Sequence, residues 1–174
     1  MRSIRAMRSI PAIVLFLIYM YILVKIILFK FGHVDLMLLL RQAKWTLADL
    51  SQIQYRMDMA NLVPFRTITD NLNSRALYDS IQFYGNVAIF IPFGMFIPFL
   101  MNGHRLGIWM YSLVFISSFA LCLLLECTQL ICSIGMFDVD DLILNTAGGM
   151  LGCVLFHLLV RIVGPDRAVA ADSL

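Results

Sequence analysis

Four long apolar stretches organise this chain: about Ile10 to Phe31, Ile81 to Met101, Leu106 to Ile134 and Leu142 to Val163. Each reaches the roughly 20 residues that a helix needs to cross the hydrocarbon of a bilayer. The bilayer core offers no water to hydrogen-bond a free backbone, so spanning segments of this kind must be helical. Composition agrees. Apolar residues are 61% of the 174 and charged residues 14%, and a soluble domain that buries only about two thirds of its surface has no place for such an excess. The chain reads as an all-α integral membrane protein with about four transmembrane helices. Disorder and a coiled-coil rod are excluded, and a net charge of +2 leaves no basic surface for nucleic acid.

The first stretch follows Arg2, Arg5 and Arg8 in the manner of a signal sequence. Its apolar run exceeds the 7–15 residues of a signal peptide, and no small-residue cleavage site follows. It reads as a retained helix, with Lys25 able to snorkel to the interface. The positive-inside rule then places the N-terminus in the cytoplasm, Arg105 in a cytoplasmic turn, and Arg161 and Arg167 toward a cytoplasmic, disordered tail of about residues 164–174. The acidic loop of Asp138, Asp140 and Asp141 carries no Lys or Arg and suits the outside. The whole chain, 1–174, is expected to form a single membrane domain.

The first loop is not plain linker. Leu36, Leu40, Ala43, Leu47 and Leu50 recur at helical spacing, flanked by Arg41, Lys44, Trp45 and Asp49. This predicts an amphipathic helix lying in the outer interface, with a core helix packed on the bundle as the alternative. Trp45 and Trp109 suit an interfacial belt. The charges of this loop balance: Arg41, Lys44, Arg56, Arg66 and Arg75 against Asp35, Asp49, Asp58, Asp70 and Asp79. Pro64 pushes Val63 toward an extended or turn conformation.

The remaining polar residues converge on one depth. Glu126, the one glutamate in the chain, lies about 27–30 Å along the third stretch at roughly 1.5 Å per residue. An intramembrane carboxylate normally faces the bundle interior and is paired, hydrogen-bonded or protonated. Gln129 shares its face. Asn86 lies about one turn into the second stretch, Asp141 and Asn145 stack at the start of the fourth, and Arg66 is the nearest cation. Structural readings stand beside these. Asp138 with Asp141 has the form of an N-cap and a third-position acid. Asn86 and Asn145 can be interhelical glue, and Gly148 and Gly152 a close-packing pair. Pro92 and Pro98 are expected to kink the second helix. The cytoplasmic halves read as almost purely apolar.

No metal site and no cofactor are expected. Cys122, Cys127, Cys132 and Cys153 form no Cys-x-x-Cys pair, and His33, His104 and His157 fall at three different segment ends. No P-loop, dinucleotide fingerprint or Gly-x-Ser-x-Gly elbow occurs.

Four pieces resemble the VanZ-like membrane proteins: Asn61-Leu-Val-Pro-Phe65; Gly85-Asn86 with Phe90-Ile-Pro-Phe-Gly94; Glu126-Cys-Thr-Gln129; and Phe137-Asp-Val-Asp-Asp-Leu-Ile-Leu-Asn-Thr-Ala-Gly-Gly149. They cover about residues 61–152. The resemblance implies a motif set of Asn61, Pro64, Asn86, Pro92, Gly94, Glu126, Gln129, Asp138, Asp141, Asn145 and Gly148. It also implies a bacterial plasma-membrane protein linked to reduced sensitivity to glycopeptides, especially teicoplanin. Many members carry a basic residue where this chain has Gly135 and Met136.

Three functions are open at this point. The protein can alter the outer envelope surface or its lipid-linked wall precursors, with membrane lipids, those precursors or lipoglycopeptides as partners. It can be an enzyme on a lipid head group, with Glu126 as acid or base and Asp141 positioning a hydroxyl or a metal, metal dependence favouring a site of Asp138, Asp140 and Asp141. It can be a scaffold or transporter subunit, self-associating through Gly148-x-x-x-Gly152.

Overall fold

A computed structural model describes residues 2–29, 35–73, 77–101 and 107–163. The expected cytoplasmic turn at Arg105 and the expected disordered tail with Arg167 lie outside the described residues, as do His33, Arg75 and His104. The described chain forms seven helices: α1 (Arg2–Phe29), α2 (Leu36–Ala48), α3 (Leu50–Asp58), α4 (Arg66–Asn73), α5 (Leu77–Leu100), α6 (Ile108–Ile131) and α7 (Val139–Val163). Four are long and apolar enough to cross a membrane, over Ile10–Phe29, Ser80–Leu100, Ile108–Ile131 and Val139–Ile162. The all-helical membrane fold expected from run length is the fold adopted.

Where the helix ends differ from the apolar runs, local chemistry decides. α6 stops at Ile131, three residues before its run does. Ser133 turns left-handed with φ 58°, its N–H bonds Leu130 O at 3.3 Å, and Ile134 N–H bonds Gln129 O at 3.1 Å. This is the paired closure of a Schellman end, with serine where glycine usually stands. α7 starts early, at Val139, because Asp138 Oδ1 accepts the Asp140 N–H at 2.8 Å and caps the helix.

α7 is the central helix. Half of its span is buried, against 6% for α1 at the edge. On one side α7 meets α5 backbone to backbone. A Cβ on Gly148 would stand 2.2 Å from Val87 O, one on Gly152 2.0 Å from Ile91 O, and one on Gly94 1.8 Å from Gly149 O. The Gly148/Gly152 face, expected to invite self-association, is thus occupied by α5. α5 runs unbroken through Pro92 and Pro98. In the turn preceding Pro92, the Tyr19 hydroxyl donates to Ile89 O at 2.6 Å and ties α1 to α5.

On its other side α7 meets α6 through two rows of fourth residues. Asn145, Gly149, Cys153 and His157 face Cys122, Ser118, Val114 and the Met110–Tyr111 turn. The contacts run down the seam. Asn145 Nδ2 donates to Cys122 Sγ at 3.0 Å, and a Cβ on Gly149 would lie 2.1 Å from Ser118 Oγ. Cys153 packs with Val114 and Met110, and the His157 ring centres 5.4 Å from Tyr111. Interdigitated four-residue ridges are the commonest way helices pack. The seam also carries the polar exceptions to the almost purely apolar cytoplasmic halves. Ser118 and His157 are buried, and His157 lies inside α7, with Nδ1 3.7 Å from Cys153 Sγ, rather than at a segment end.

The short helices gather at the end of the bundle where α6 finishes and α7 begins. α2 packs on α6 through the face of Leu39, Gln42, Ala43 and Thr46, with Thr46 Oγ1 3.2 Å from Ser133 Oγ. Leu36, Leu40 and Leu47 face away from the protein, and Trp45 is 79% exposed. That is the pattern of the interfacial helix and not of a core helix. The predicted stripe does not continue to Leu50. Asp49 accepts from Ser51 N–H at 3.0 Å and its hydroxyl at 2.6 Å, ending α2 and capping α3.

Candidate functional site

The site is built where two distant segments lock together. Asn61 N–H donates to Phe137 O and Val139 N–H to Asn61 O, both at 3.0 Å, an isolated parallel bridge across Asp138. The Asn61 side chain completes the lock. Oδ1 accepts from Val63 N–H at 3.2 Å. Nδ2 donates to Asp138 Oδ1 at 2.8 Å and Thr67 Oγ1 at 2.9 Å. Thr67 in turn donates to Asp138 Oδ2 at 2.8 Å. The extended stretch expected before Pro64 is what allows this bridge.

α4 has no capping side chain of its own. Its first carbonyl belongs to Phe65, which accepts from Thr69 N–H at 2.9 Å. Phe65 sits at φ 68°, a conformation that an aromatic residue rarely adopts. Asp140, fully buried, supplies the missing acceptor, taking Phe65 N–H at 2.6 Å and Ile68 N–H at 3.2 Å. A carboxylate at a helix N-terminus also meets the positive end of the helix dipole. Asp140 counted in the sequence only as one of three loop acids, and no local pattern marked it as the cap of a helix some 70 residues away.

Glu126 is 1% exposed. Its Oε2 accepts the backbone N–H of Asp138 at 3.1 Å. In a capping box that N–H goes to the acid at the third helical position. Here that acid, Asp141, is turned instead to Asn86, whose Nδ2 donates to Asp141 Oδ1. Glu126 therefore takes the capping-box role from a neighbouring helix. The Asp138–Asp141 pairing expected from sequence holds for the cap and not for its reciprocal bond.

The other candidates divide. Asn145 lies one turn below Asp141 and reaches Cys122, whose Sγ is 3.5 Å from Asp141 O. Gln129 is buried, but its Nε2 donates to Ile27 O at 2.8 Å, closing the end of α1 and not joining the acids. Arg66 is exposed and makes no side-chain hydrogen bond or ion pair among the described residues. Arg56, which sequence reasoning did not single out, reaches the Gly135 carbonyl at 3.3 Å, beside the position where relatives are expected to carry a basic residue.

An open cavity of about 250 Å³ lies over this lock. Asn61, Arg66, Thr67 and Asp138 form its polar wall, and Met59 and Met136 belong to its apolar wall. Glu126, Asn86, Gln129, Asp141 and Asn145 do not line it. Among the described residues no group of three or more His, Cys, Asp or Glu is placed to hold a metal ion.

A family model described as VanZ/LLP1 matches residues 16–160. Protein VanZ of Enterococcus faecium is 38% identical over 113 residues, 63% of this chain and 59% of that protein. The matched region thus spans less than two thirds of that relative's length. No solved structure matches the chain.

Proposed function

The chain belongs to the VanZ/LLP1 family, and from that premise we propose that it works in the bacterial plasma membrane on the outer surface of the envelope. The role is to lower sensitivity to glycopeptides of the teicoplanin type, by engaging an amphipathic component of that surface, a lipid or a lipid-linked wall precursor. The observation that carries this reading is the cavity at one end of the bundle, polar on the side of Arg66 and Asp138 and apolar on the side of Met59 and Met136. An amphiphile has the same two sides. The positive-inside rule supports placing this end outside and both termini in the cytoplasm, since Arg2, Arg5, Arg8 and Arg161 belong to the opposite end.

The acid–base reading of Glu126 has less support, because its carboxylate is buried away from the cavity and already accepts the Asp138 N–H. Self-association through Gly148 and Gly152 loses its motivation for a similar reason, since α5 covers that face.

The test is to delete the gene in its host and restore it on a plasmid, measuring teicoplanin susceptibility and wall-precursor composition. Deletion is expected to raise susceptibility and the plasmid to reverse it. Unchanged susceptibility with unchanged precursors overturns the reading.

A further inference from the structure

We propose that the cavity over Asp138 holds the zwitterionic head group of a membrane lipid, a phosphate diester on Arg66 and a primary ammonium on Asp138. This deepens the reading of that end as the working end and rests on it.

Size comes first. About 250 Å³ is below the roughly 300–1,000 Å³ of pockets that take a whole drug-sized molecule. It suits a head group whose hydrocarbon stays outside. The loop between the lining residues Asn61 and Arg66 provides for that hydrocarbon: its Leu62, Val63 and Phe65 are all more than half exposed. Their loop is pinned at both ends, by the Asn61 bridge and by Asp140 on Phe65 N–H. A pinned apolar loop at the end of a membrane bundle lies against lipid tails at little cost in order.

Charge then selects the head group. Arg66 offers a planar set of donors with no ion-pair partner among the described residues, the arrangement that suits a phosphate oxygen pair. Asp138 faces the same cavity. A carboxylate has about four lone-pair sites. The bonds from Asn61, Thr67 and the Asp140 N–H occupy three of them, which leaves one for an ammonium donor. A purely anionic head group would satisfy Arg66 but meet the charges of Asp138 and, behind it, Asp140. A purely cationic one would meet Arg66. A group with both charges matches both walls.

The experiment uses the full chain in detergent, offered phosphatidylethanolamine, phosphatidylcholine and phosphatidylglycerol in turn, with retained lipid read by native mass spectrometry. Phosphatidylethanolamine is expected to be retained best. Phosphatidylcholine, whose quaternary ammonium cannot donate, tests the Asp138 contact without altering the protein. Arg66→Gln changes an exposed residue without side-chain partners and is expected to lower retention of phosphatidylethanolamine by about tenfold, the loss of one charge-assisted contact. Equal retention of phosphatidylethanolamine and phosphatidylcholine overturns the proposal, as does retention unchanged in R66Q. Preferred retention of phosphatidylglycerol overturns it in favour of a simple anion site. Cells carrying R66Q separate this proposal from the function it rests on. Retention without preference beside an intact glycopeptide effect removes the head-group assignment alone.

Discussion

Asp140 caps a helix to which it does not belong, its Oδ1 accepting Phe65 N–H at 2.6 Å across 75 residues of chain. Removing that acceptor leaves two half-buried backbone bonds, those from Phe65 and Ile68 N–H, without their partner. A donor left unsatisfied costs about 1–3 kcal/mol. Asp140→Ala is therefore expected to lower the melting temperature in detergent and to open residues 61–73 to proteolysis. Asp140→Asn keeps one acceptor oxygen and is expected to be milder on both measures. Equal behaviour of the two variants would show that the acceptor does not hold α4.

The α5–α7 contact predicts a contrast between glycines. Gly148→Ala and Gly152→Ala each drive a methyl group to about 2 Å from a backbone carbonyl of α5. Neither backbone can yield without separating the helices, and overpacking of this kind costs typically about 1–3 kcal/mol. Gly85→Ala, on the same α5 helix, meets nothing within 4 Å. It is expected to be neutral or mildly stabilising, since alanine is the better helix former by up to about 1 kcal/mol. Thermal unfolding of the three variants in one detergent tests the order.

Much of this fold was legible because run length writes spanning helices directly into sequence. All four apolar stretches became helices within a few residues of their expected ends. The corrections came where one residue's side chain decides. Asp49 splits the leucine stripe before Leu50, and Ser133 ends α6 inside an apolar run. The site was legible only in outline. Asn61, Asp138, Glu126, Asn86 and Asp141 do lie at one end of the bundle, but the bonds that order them join positions 61–68 to 137–140 and 126 to 138. No periodicity records contacts of that range. Asp140 and Thr67 looked like any loop acid and any loop hydroxyl, and Gln129 looked like a partner of Glu126 although it closes α1.

The break at Asp49 carries a pH dependence. The bonds from the Ser51 hydroxyl and, after it, from Ser51 N–H hold the Asp49 carboxyl below its ordinary value. The folded pKa is thus lower than the unfolded one. The cap is fully present above the ordinary carboxylate range and is lost as pH falls through the folded value. The protection of amides 50–58 against hydrogen exchange, taken relative to the intrinsic exchange rate at each pH, is expected to fall on acidification, and Asp49→Asn is expected to remove that dependence. An acid response unchanged in the variant would assign it to another group.

α2 predicts its own depth. With Leu36, Leu40 and Leu47 turned from the protein and Trp45 exposed, the helix belongs at the boundary of head groups and acyl chains. In a Trp109→Phe background, Trp45 fluorescence is expected to be quenched more by lipids brominated near the head group than by lipids brominated near the chain end. Equal exposure to an aqueous quencher with and without bilayer would place α2 in water instead.

Glu126 gives the sharpest division between holding and reacting. Its carboxylate accepts the Asp138 N–H and so completes the cap of α7 from α6. Glutamine has the same shape and keeps a carbonyl oxygen for that bond, but it cannot exchange a proton as an acid or base. If Glu126 positions Asp138, then Glu126→Gln keeps both the melting temperature and the proposed effect on glycopeptide susceptibility. Glu126→Ala then loses both, by roughly the 1–3 kcal/mol of a stranded buried donor. If Glu126 instead moves protons, E126Q folds as the parent does and loses the effect. The two readings thus part on one variant whose stability is expected to be unchanged, and the lock geometry favours the first.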